Sequence, residues 1–255
     1  MRMLLPRPAD DLTDDALDAA YAWPGWPEPQ PWLRANMVST VDGAARGPEG
    51  LSGAISGEAD KRVFGRLRGL ADVVLAGAGT VRAEGYRPAR AKPSFAERRA
   101  AAGQAPAPVI AVVSRSLDLD LSSELFTTPG SRPVVITTGS SDASRRSEVG
   151  RLADVVVAGD EDVDLGAAVA ALHDRGLVRI HAEGGPSLLG DLAAADLLDE
   201  LCLTVSPVLA GGSYGDGPVI PRILAGAPLA DAPRPLSLVH VLEDAGTLFL
   251  RYTSG

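Results

Sequence analysis

Three short segments carry residues that could hold a phosphorylated ligand or act on it. The first is Val178-Arg-Ile-His-Ala182, an apolar, strand-like run that ends in Glu183-Gly184-Gly185-Pro186-Ser187-Leu188. Proline suits the first position of a helix, where an N–H has no partner to lose, and Gly185 suits the position before it. The turn would then offer unpaired N–H donors at the positive end of a helix dipole, where a pyrophosphate could sit. Glu183 would face whatever binds beside it; the plainer alternative is a helix start with a solvated glutamate. The second segment runs from Val73-Val-Leu-Ala76 into Gly77-Ala-Gly79-Thr80-Val-Arg82. Glycines there let a backbone approach a ligand closely. As a dinucleotide fingerprint it is defective, with Arg82 at the third glycine position and no acidic residue closing the next strand. That strand, Val109–Val113, ends in Ser114-Arg115, and a hydroxyl beside a guanidinium suits a ribose 2′-phosphate. The third segment is Asn36-Met-Val-Ser-Thr-Val-Asp42-Gly43. Asp-Gly is a turn signal, but a carboxylate at a strand end could also donate a proton or anchor a substrate.

Other matches fail on context. Gly211-Gly-Ser213-Tyr-Gly215 fits a hydrolase elbow in letters, yet Asp216-Gly-Pro follows where a helix is required. His173, His181 and His240 lack metal-ligand spacing, so no metal is expected, and His181 reads as a packed or hydrogen-bonded imidazole.

The elements that must position these residues alternate. Strands are expected at Leu33–Val38, Val73–Ala76, Val109–Val113, Val134–Thr137, Val155–Ala158 and Val178–Ala182, mostly as unbroken apolar runs covered on both faces. Helices are expected at Gly57–Leu70, Leu165–Arg175 and Pro186–Leu197, which makes the sheet largely parallel. After residue 199 come Glu200–Leu209, Leu236–Leu242 and Thr247–Tyr252 with no helix between them, the last pair an antiparallel hairpin through Glu243-Asp-Ala-Gly246. The fold class is therefore α/β: three layers, a mostly parallel sheet and antiparallel C-terminal strands. Residues 1–31 read as an N-terminal extension with a short helix inside Asp10–Ala22, followed by the proline-rich Trp23–Pro31; residues 32–255 read as one domain.

Composition narrows the classes. A net charge of −9 argues against a nucleic-acid partner, and the single cysteine, Cys202, excludes an intrachain disulfide or a cysteine-rich zinc site. With neither a secretory signal nor a membrane-length apolar run, a cytoplasmic location is expected.

Together, Met37-Val-Ser-Thr-Val-Asp-Gly43, Leu67-Arg68-Gly-Leu-Ala-Asp72-Val-Val-Leu-Ala-Gly77-Ala-Gly79-Thr80-Val81, Glu183-Gly-Gly-Pro-Ser-Leu-Leu189 and Leu198-Asp-Glu-Leu-Cys-Leu-Thr-Val-Ser-Pro-Val-Leu-Ala-Gly211 resemble the pyrimidine reductase family of riboflavin biosynthesis. The resemblance spans Leu33 to Tyr252. It implies a dihydrofolate-reductase-like sheet, NADPH as cofactor, and reduction of the ribosyl group of 5-amino-6-(5-phosphoribosylamino)uracil to a ribityl chain. By motif position it puts Thr80, Glu84, Ser114 and the run from Gly185 to Asp191 at the cofactor, beside Gly77, Gly79, Arg115 and Gly184, which the residues themselves suggest. Ser52, Arg68, Arg90 and Glu183 fall at the phosphorylated pyrimidine substrate, with Asp42 or Glu183 as candidate catalytic proton donors and a bound water as the alternative. A homodimer is implied, with Glu200 to Leu209 resembling a dimer-forming strand. Two departures touch the substrate side: Asn36 where most members have lysine, and Ala54-Ile55-Ser56 where most have Trp-Ile-Thr. Two other readings remain: a reductase of another pterin or pyrimidine such as dihydrofolate, and a non-catalytic NADPH-binding protein. The zinc deaminase found in bifunctional members has no counterpart here.

Overall fold

The computed structural model of the chain describes residues 1–25, 30–128, 132–212, 220–226 and 228–254. In chain order its elements are β1 (Arg2–Leu5), α1 (Asp14–Ala20), β2 (Trp32–Thr40), α2 (Glu58–Leu70), β3 (Val73–Gly77), α3 (Ala78–Ala83), α4 (Ala96–Ala101), β4 (Val109–Val113), α5 (Glu124–Thr127), β5 (Val134–Thr137), α6 (Ala143–Gly150), β6 (Asp154–Val157), α7 (Leu165–His173), β7 (Arg179–Ala182), α8 (Pro186–Ala194), β8 (Glu200–Ser206), β9 (Leu236–Asp244) and β10 (Thr247–Ser254). Residues 1–24, 33–67 and 186–255 group into one compact unit, and residues 25–32 and 68–185 into a second.

The second unit is a parallel βα array. Its strands lie in the order β7-β3-β4-β5-β6, every neighbouring pair parallel. The central strands bury Val74, Ala76, Ile110, Val112 and Val135 in one cluster with Val81, Leu117, Leu125, Phe126 and Val149. This is why the sequence shows unbroken Val and Ile runs: a strand covered on both faces has no polar side to alternate with. At the amino end of β3, Asp72 ties two strands together. Its Oδ2 accepts from the backbone N–H groups of Val178 (3.2 Å) and Arg179 (2.8 Å) at the start of β7.

In the first unit the order is β1-β9-β10-β8-β2, antiparallel except for the parallel β8–β2 pair. The α/β class with antiparallel C-terminal strands is thus what the chain adopts. The β9–β10 hairpin turns at Ala245 and Gly246, both with positive φ (49° and 83°), the backbone that matches the twist of paired strands. β8 stops at Ser206 rather than Leu209, because Pro207 has no N–H to donate. It lies between β10 and β2, so both of its backbone edges are already paired. The expected N-terminal helix is shorter than read, Asp14–Ala20, capped by Thr13 Oγ1 accepting from Ala16 N. Residues 2–5, not anticipated as a strand, add β1 to the edge of β9.

A charged cluster lies inside the first unit. Glu200, fully enclosed, receives Arg34 Nε at 2.5 Å and Arg251 Nη2 at 2.9 Å. Arg251 also donates to the carbonyls of Ala20 (2.6 Å) and Ala22 (3.2 Å), and the Arg34 guanidinium stacks 3.9 Å from the Trp23 ring. Burial alone would raise the Glu200 pKa, but the two guanidinia outweigh it and hold the carboxyl below its ordinary value. The carboxylate's contribution to stability is therefore complete at neutral pH and is lost as pH falls through that depressed value. Replacing Glu200 by Gln leaves two enclosed guanidinia without a counter-charge. Urea unfolding should show a loss of about 3–5 kcal/mol, the cost of breaking a buried pair from one side; a loss under about 1 kcal/mol would mean the cluster is solvated.

Candidate functional site

The sequence-predicted glycine turns come together in the second unit. β7, β3 and β4 are adjacent and parallel, so Glu183-Gly184-Gly185, Gly77-Ala78-Gly79-Thr80 and Ser114-Arg115 all lie at carboxyl ends of neighbouring strands. That is the side on which an open parallel sheet takes its ligands. Two backbone hydrogen bonds join the turns: Gly77 N donates to Gly184 O, and Glu183 N to Leu75 O, each at 2.9 Å. Gly184 has φ +79°, a conformation that favours glycine, and the Gly184–Gly185 peptide is cis. A Cβ on Gly185 would lie 2.8 Å from Thr80 Oγ1, whereas one on Gly79 would meet nothing within 4 Å. The space at Gly185 is therefore claimed by the Thr80 hydroxyl, and the open approach is at Gly79. Gly77 caps α3 from its N-terminal side, and the N–H of Glu84 closes the other end on Thr80 O.

Glu183 is the centre of a buried polar cluster. Its side chain is 2% exposed, and Arg68, at the last turn of α2, grips it with Nε on Oε1 (2.5 Å) and Nη2 on Oε2 (2.6 Å). The Tyr86 hydroxyl donates to Oε2, and His181 Nε2 lies 3.5 Å from Oε1. The Arg68 guanidinium sits 5.1 Å from the centre of the Tyr86 ring. Burial pushes the Glu183 pKa up, but the Arg68 charge and the hydrogen bonds from Arg68 and Tyr86 override it, and the carboxyl stays below its usual value. Burial and the neighbouring carboxylate both drive the Tyr86 phenol well above its ordinary value. At neutral pH the cluster is an ionised carboxylate, a guanidinium and a protonated phenol. In this state Glu183 is an acceptor of hydrogen bonds from Arg68 and Tyr86.

Asp42 is an acceptor too. Its exposed carboxylate accepts from Thr40 Oγ1 (2.6 Å), Ala210 N (3.1 Å) and Gly211 N (2.6 Å). These bonds, that from Thr40 first, hold its pKa down to about 2. Asp42 is the clasp of a turn, anchoring residues 210–211 in the first unit. Ser213 of the Gly-x-Ser-x-Gly match, with the rest of residues 213–219, lies outside the described residues.

The other expected residues are dispersed. Arg115 is exposed and, among the described residues, pairs with the exposed Asp162 (2.7 Å), a contact a ligand could displace at little cost. Ser114 Oγ is enclosed, with no hydrogen-bond partner among the described residues, so the hydroxyl is not displayed beside Arg115 as expected. Arg90 lines a cleft of about 400 Å³ with Arg87, Pro88, Ala105 and Glu124; neither Arg68 nor Glu183 lines it, so Arg90 is not gathered with them there. Ser52 opens a short 3-10 turn in the first unit, where Asn36 is buried opposite Cys202 in the β2–β8 register. Pro186 begins α8, with Ser187 and Leu188 in its first turn and Leu188 buried. Ser56 donates to Asp60 (2.5 Å), which also accepts from Thr204 (2.6 Å). Tyr86 escaped the sequence reading; its only signal was a lone aromatic closing the segment that begins at Gly77. Among the described residues no group of His, Cys, Asp and Glu could hold a metal ion, and no helix is long and apolar enough to cross a membrane.

Relatives with this arrangement are known. A protein of Archaeoglobus fulgidus named 2,5-diamino-6-ribosylamino-4(3H)-pyrimidinone 5′-phosphate reductase is 29% identical over 191 residues, 75% of this chain and 86% of that one. Its namesake in Methanothermobacter thermautotrophicus is 32% identical over 184 residues, 72% of this chain and 81% of that one. The crystal structure of a pyrimidine reductase-like protein from Corynebacterium diphtheriae superposes with a TM-score of 0.76 at 29% identity, covering 88% of this chain and 91% of that one. The model of the RibD C-terminal domain matches residues 31–224, well over half of the 255 residues, and this chain belongs to that family.

Proposed function

We propose that this protein is an NADPH-dependent reductase that converts the ribosyl group of a ribosylaminopyrimidine 5′-phosphate into a ribityl chain. The observation that carries the reading is the convergence of three strand ends, Glu183-Gly184-Gly185, Gly77 to Thr80 and Ser114-Arg115, on one side of a parallel sheet. The residues fit the cofactor in chemistry. Gly79 leaves room for a close backbone approach, and Arg115 offers a solvent-facing guanidinium to a 2′-phosphate. Nearby arginines are already committed to main-chain carbonyls: Arg145 to Leu117 (3.2 Å), Arg146 to Thr138 (3.2 Å) and Arg82 to Asp118.

Bound, NADPH supplies the hydride that the C1′ carbon of a ring-opened sugar imine accepts. The chain's part is to hold and orient the substrate, the main source of acceleration when two reactants must meet in one geometry. Glu183, ionised and immobilised by Arg68 and Tyr86, is suited to accept an N–H of the pyrimidine or a ribose hydroxyl. Because Glu183 and Asp42 both keep depressed pKa values, the proton that completes the reduction is assigned to a bound water. Arg68, with Nε and Nη2 on Glu183, acts through that carboxylate more than on the substrate phosphate. The relatives are named for the 2,5-diaminopyrimidinone, which differs from the expected uracil in carrying an amino group instead of oxygen at C2.

NADPH consumption measured with the diaminopyrimidinone phosphate, the uracil phosphate and dihydrofolate tests the assignment. Turnover of a ribosylaminopyrimidine above dihydrofolate is expected, and dihydrofolate as the faster substrate would overturn it. Arg115→Ala should weaken NADPH binding by about 1.5–3 kcal/mol and leave NADH nearly unchanged; equal losses in a fluorescence titration would move the 2′-phosphate elsewhere. Arg68→Ala should lower kcat/KM by about 10–100-fold, the scale of a charge-assisted hydrogen bond. It also removes the main opposition to the burial of Glu183, leaving Tyr86 and His181, so the acidic limb of the pH–rate profile should move to higher pH. An unmoved limb would remove Glu183 from the mechanism. The same reading includes a homodimer, for which sedimentation should give twice the 26.3 kDa of one chain.

A further inference from the structure

Arg99 is buried, at 2% exposure, and among the described residues its hydrogen bonds go to main-chain carbonyls. Its Nη1 donates to Gly69 O (2.9 Å) and Ala71 O (2.7 Å), and its Nε to Ala105 O (2.6 Å). Gln104 Nε2, from the same segment, donates to Leu70 O (3.1 Å) and to Asp72 Oδ1 (2.6 Å). The carbonyls of residues 69, 70 and 71 are the ones that the end of α2 leaves without an intrahelical partner. A guanidinium there also meets the negative end of the helix dipole. Phe95 closes the arrangement from the side: a Cβ on Gly69 would fall 2.3 Å from its ring.

The residue before this capped stretch is Arg68, the grip on Glu183. Glu183 in turn ends β7, whose first N–H groups are held by Asp72, the second acceptor of Gln104. Both partners of the functional ion pair are thus referred to one set of bonds. We propose that Arg99, with Gln104 beside it, is a positioning residue: it caps the end of α2 and so fixes the place from which Arg68 holds Glu183. This rests on the reductase reading for its kinetic consequence, though not for its structural one. Burying a guanidinium on carbonyls alone is costly, since desolvation lowers its pKa and Asp72 offsets this only in part. A tether for a few loop residues could be made without that expense.

The test is a double-mutant cycle on the full chain with Arg99→Met, Arg68→Ala and the pair, after thermal unfolding has shown each variant to be folded. Arg99→Met alone should lower kcat/KM about tenfold, and by less than about twofold once Arg68 is already Ala, the non-additivity of two residues acting through one contact. Equal losses in both backgrounds, or no loss, overturn the proposal. A readout free of activity runs in parallel: the titration of Glu183, followed by the side-chain carboxyl carbon in labelled protein, should move to higher pH in Arg99→Met. If no pyrimidine is turned over but this titration moves, the reductase reading has failed and the positioning inference stands. An unmoved titration overturns the inference by itself. Should Arg99→Met fail to fold, Gln104→Met removes one carbonyl contact and the Asp72 bond, with the same two readouts and the same expected directions.

Discussion

An enclosed carboxylate has to be given a counter-charge or give up its ionisation, and Glu183 sets that condition for the second unit. With its side chain 2% exposed, an isolated ionised form would cost several kcal/mol. The cost is offset by a bidentate guanidinium and a phenol, whose N–H and O–H groups reach both oxygens. Each partner arrives from a different element: Arg68 from the end of α2, Tyr86 from just beyond α3, and Glu183 itself from the end of β7. The pair therefore forms only when those elements are in register, and the register is held at the opposite strand ends by Asp72.

The same condition shapes the turns beside it. Gly77 N–H bonds to Gly184 O across the β3–β7 pair, so the turns are coupled through main chain with no side chain in between. Gly184 supplies a positive φ, and Gly185 leaves the space taken by the Thr80 hydroxyl. A glycine turn usually marks where a ligand comes close; here part of the requirement comes from the protein itself. Gly79 opens onto unfilled space whereas Gly185 does not, which separates a glycine suited to a ligand from one suited to the fold.

The interior strands were legible because β3, β4 and β5 are covered on both faces and show as unbroken Val, Ile, Leu and Ala. The glycine turns and Glu183 could be read from strand ends and a proline at a helix start. Other features could not. β1 has only four residues, too few for a pattern. α3 holds Gly79 and read as a turn, yet its residues follow a buried strand directly. The Arg68–Glu183 grip joins residues 115 apart, and nothing local to either one announces the other. Asp42 shows the limit from the other side: an Asp-Gly turn after a strand has the same letters whatever its carboxylate meets, and its bonds to the N–H groups of Ala210 and Gly211 join residues 168 and 169 positions apart.

The residues outside the family match are bound up with those inside it. The match covers 31–224, which leaves β1, α1, β9 and β10 beyond it. β1 pairs with β9, Tyr21 meets His240 edge-on at 4.8 Å, and Arg251 of β10 reaches the carbonyls of Ala20 and Ala22. These flanking pieces hold one another, and they do so around a charge that belongs to the matched part. Glu200 lies within the match, but one of its two guanidinia, Arg251, lies beyond it. The carbonyls and the tryptophan face that complete the cluster come from residues 20–23. Glu200 and Arg34 already balance in charge, so Arg251 fills the carboxylate's free acceptor sites as a second guanidinium, and its remaining N–H groups are met by the carbonyls of Ala20 and Ala22. In this chain residues 20–23 supply the carbonyls and the ring face that the two guanidinia meet, so the flanking segments and the matched part share one set of buried polar contacts.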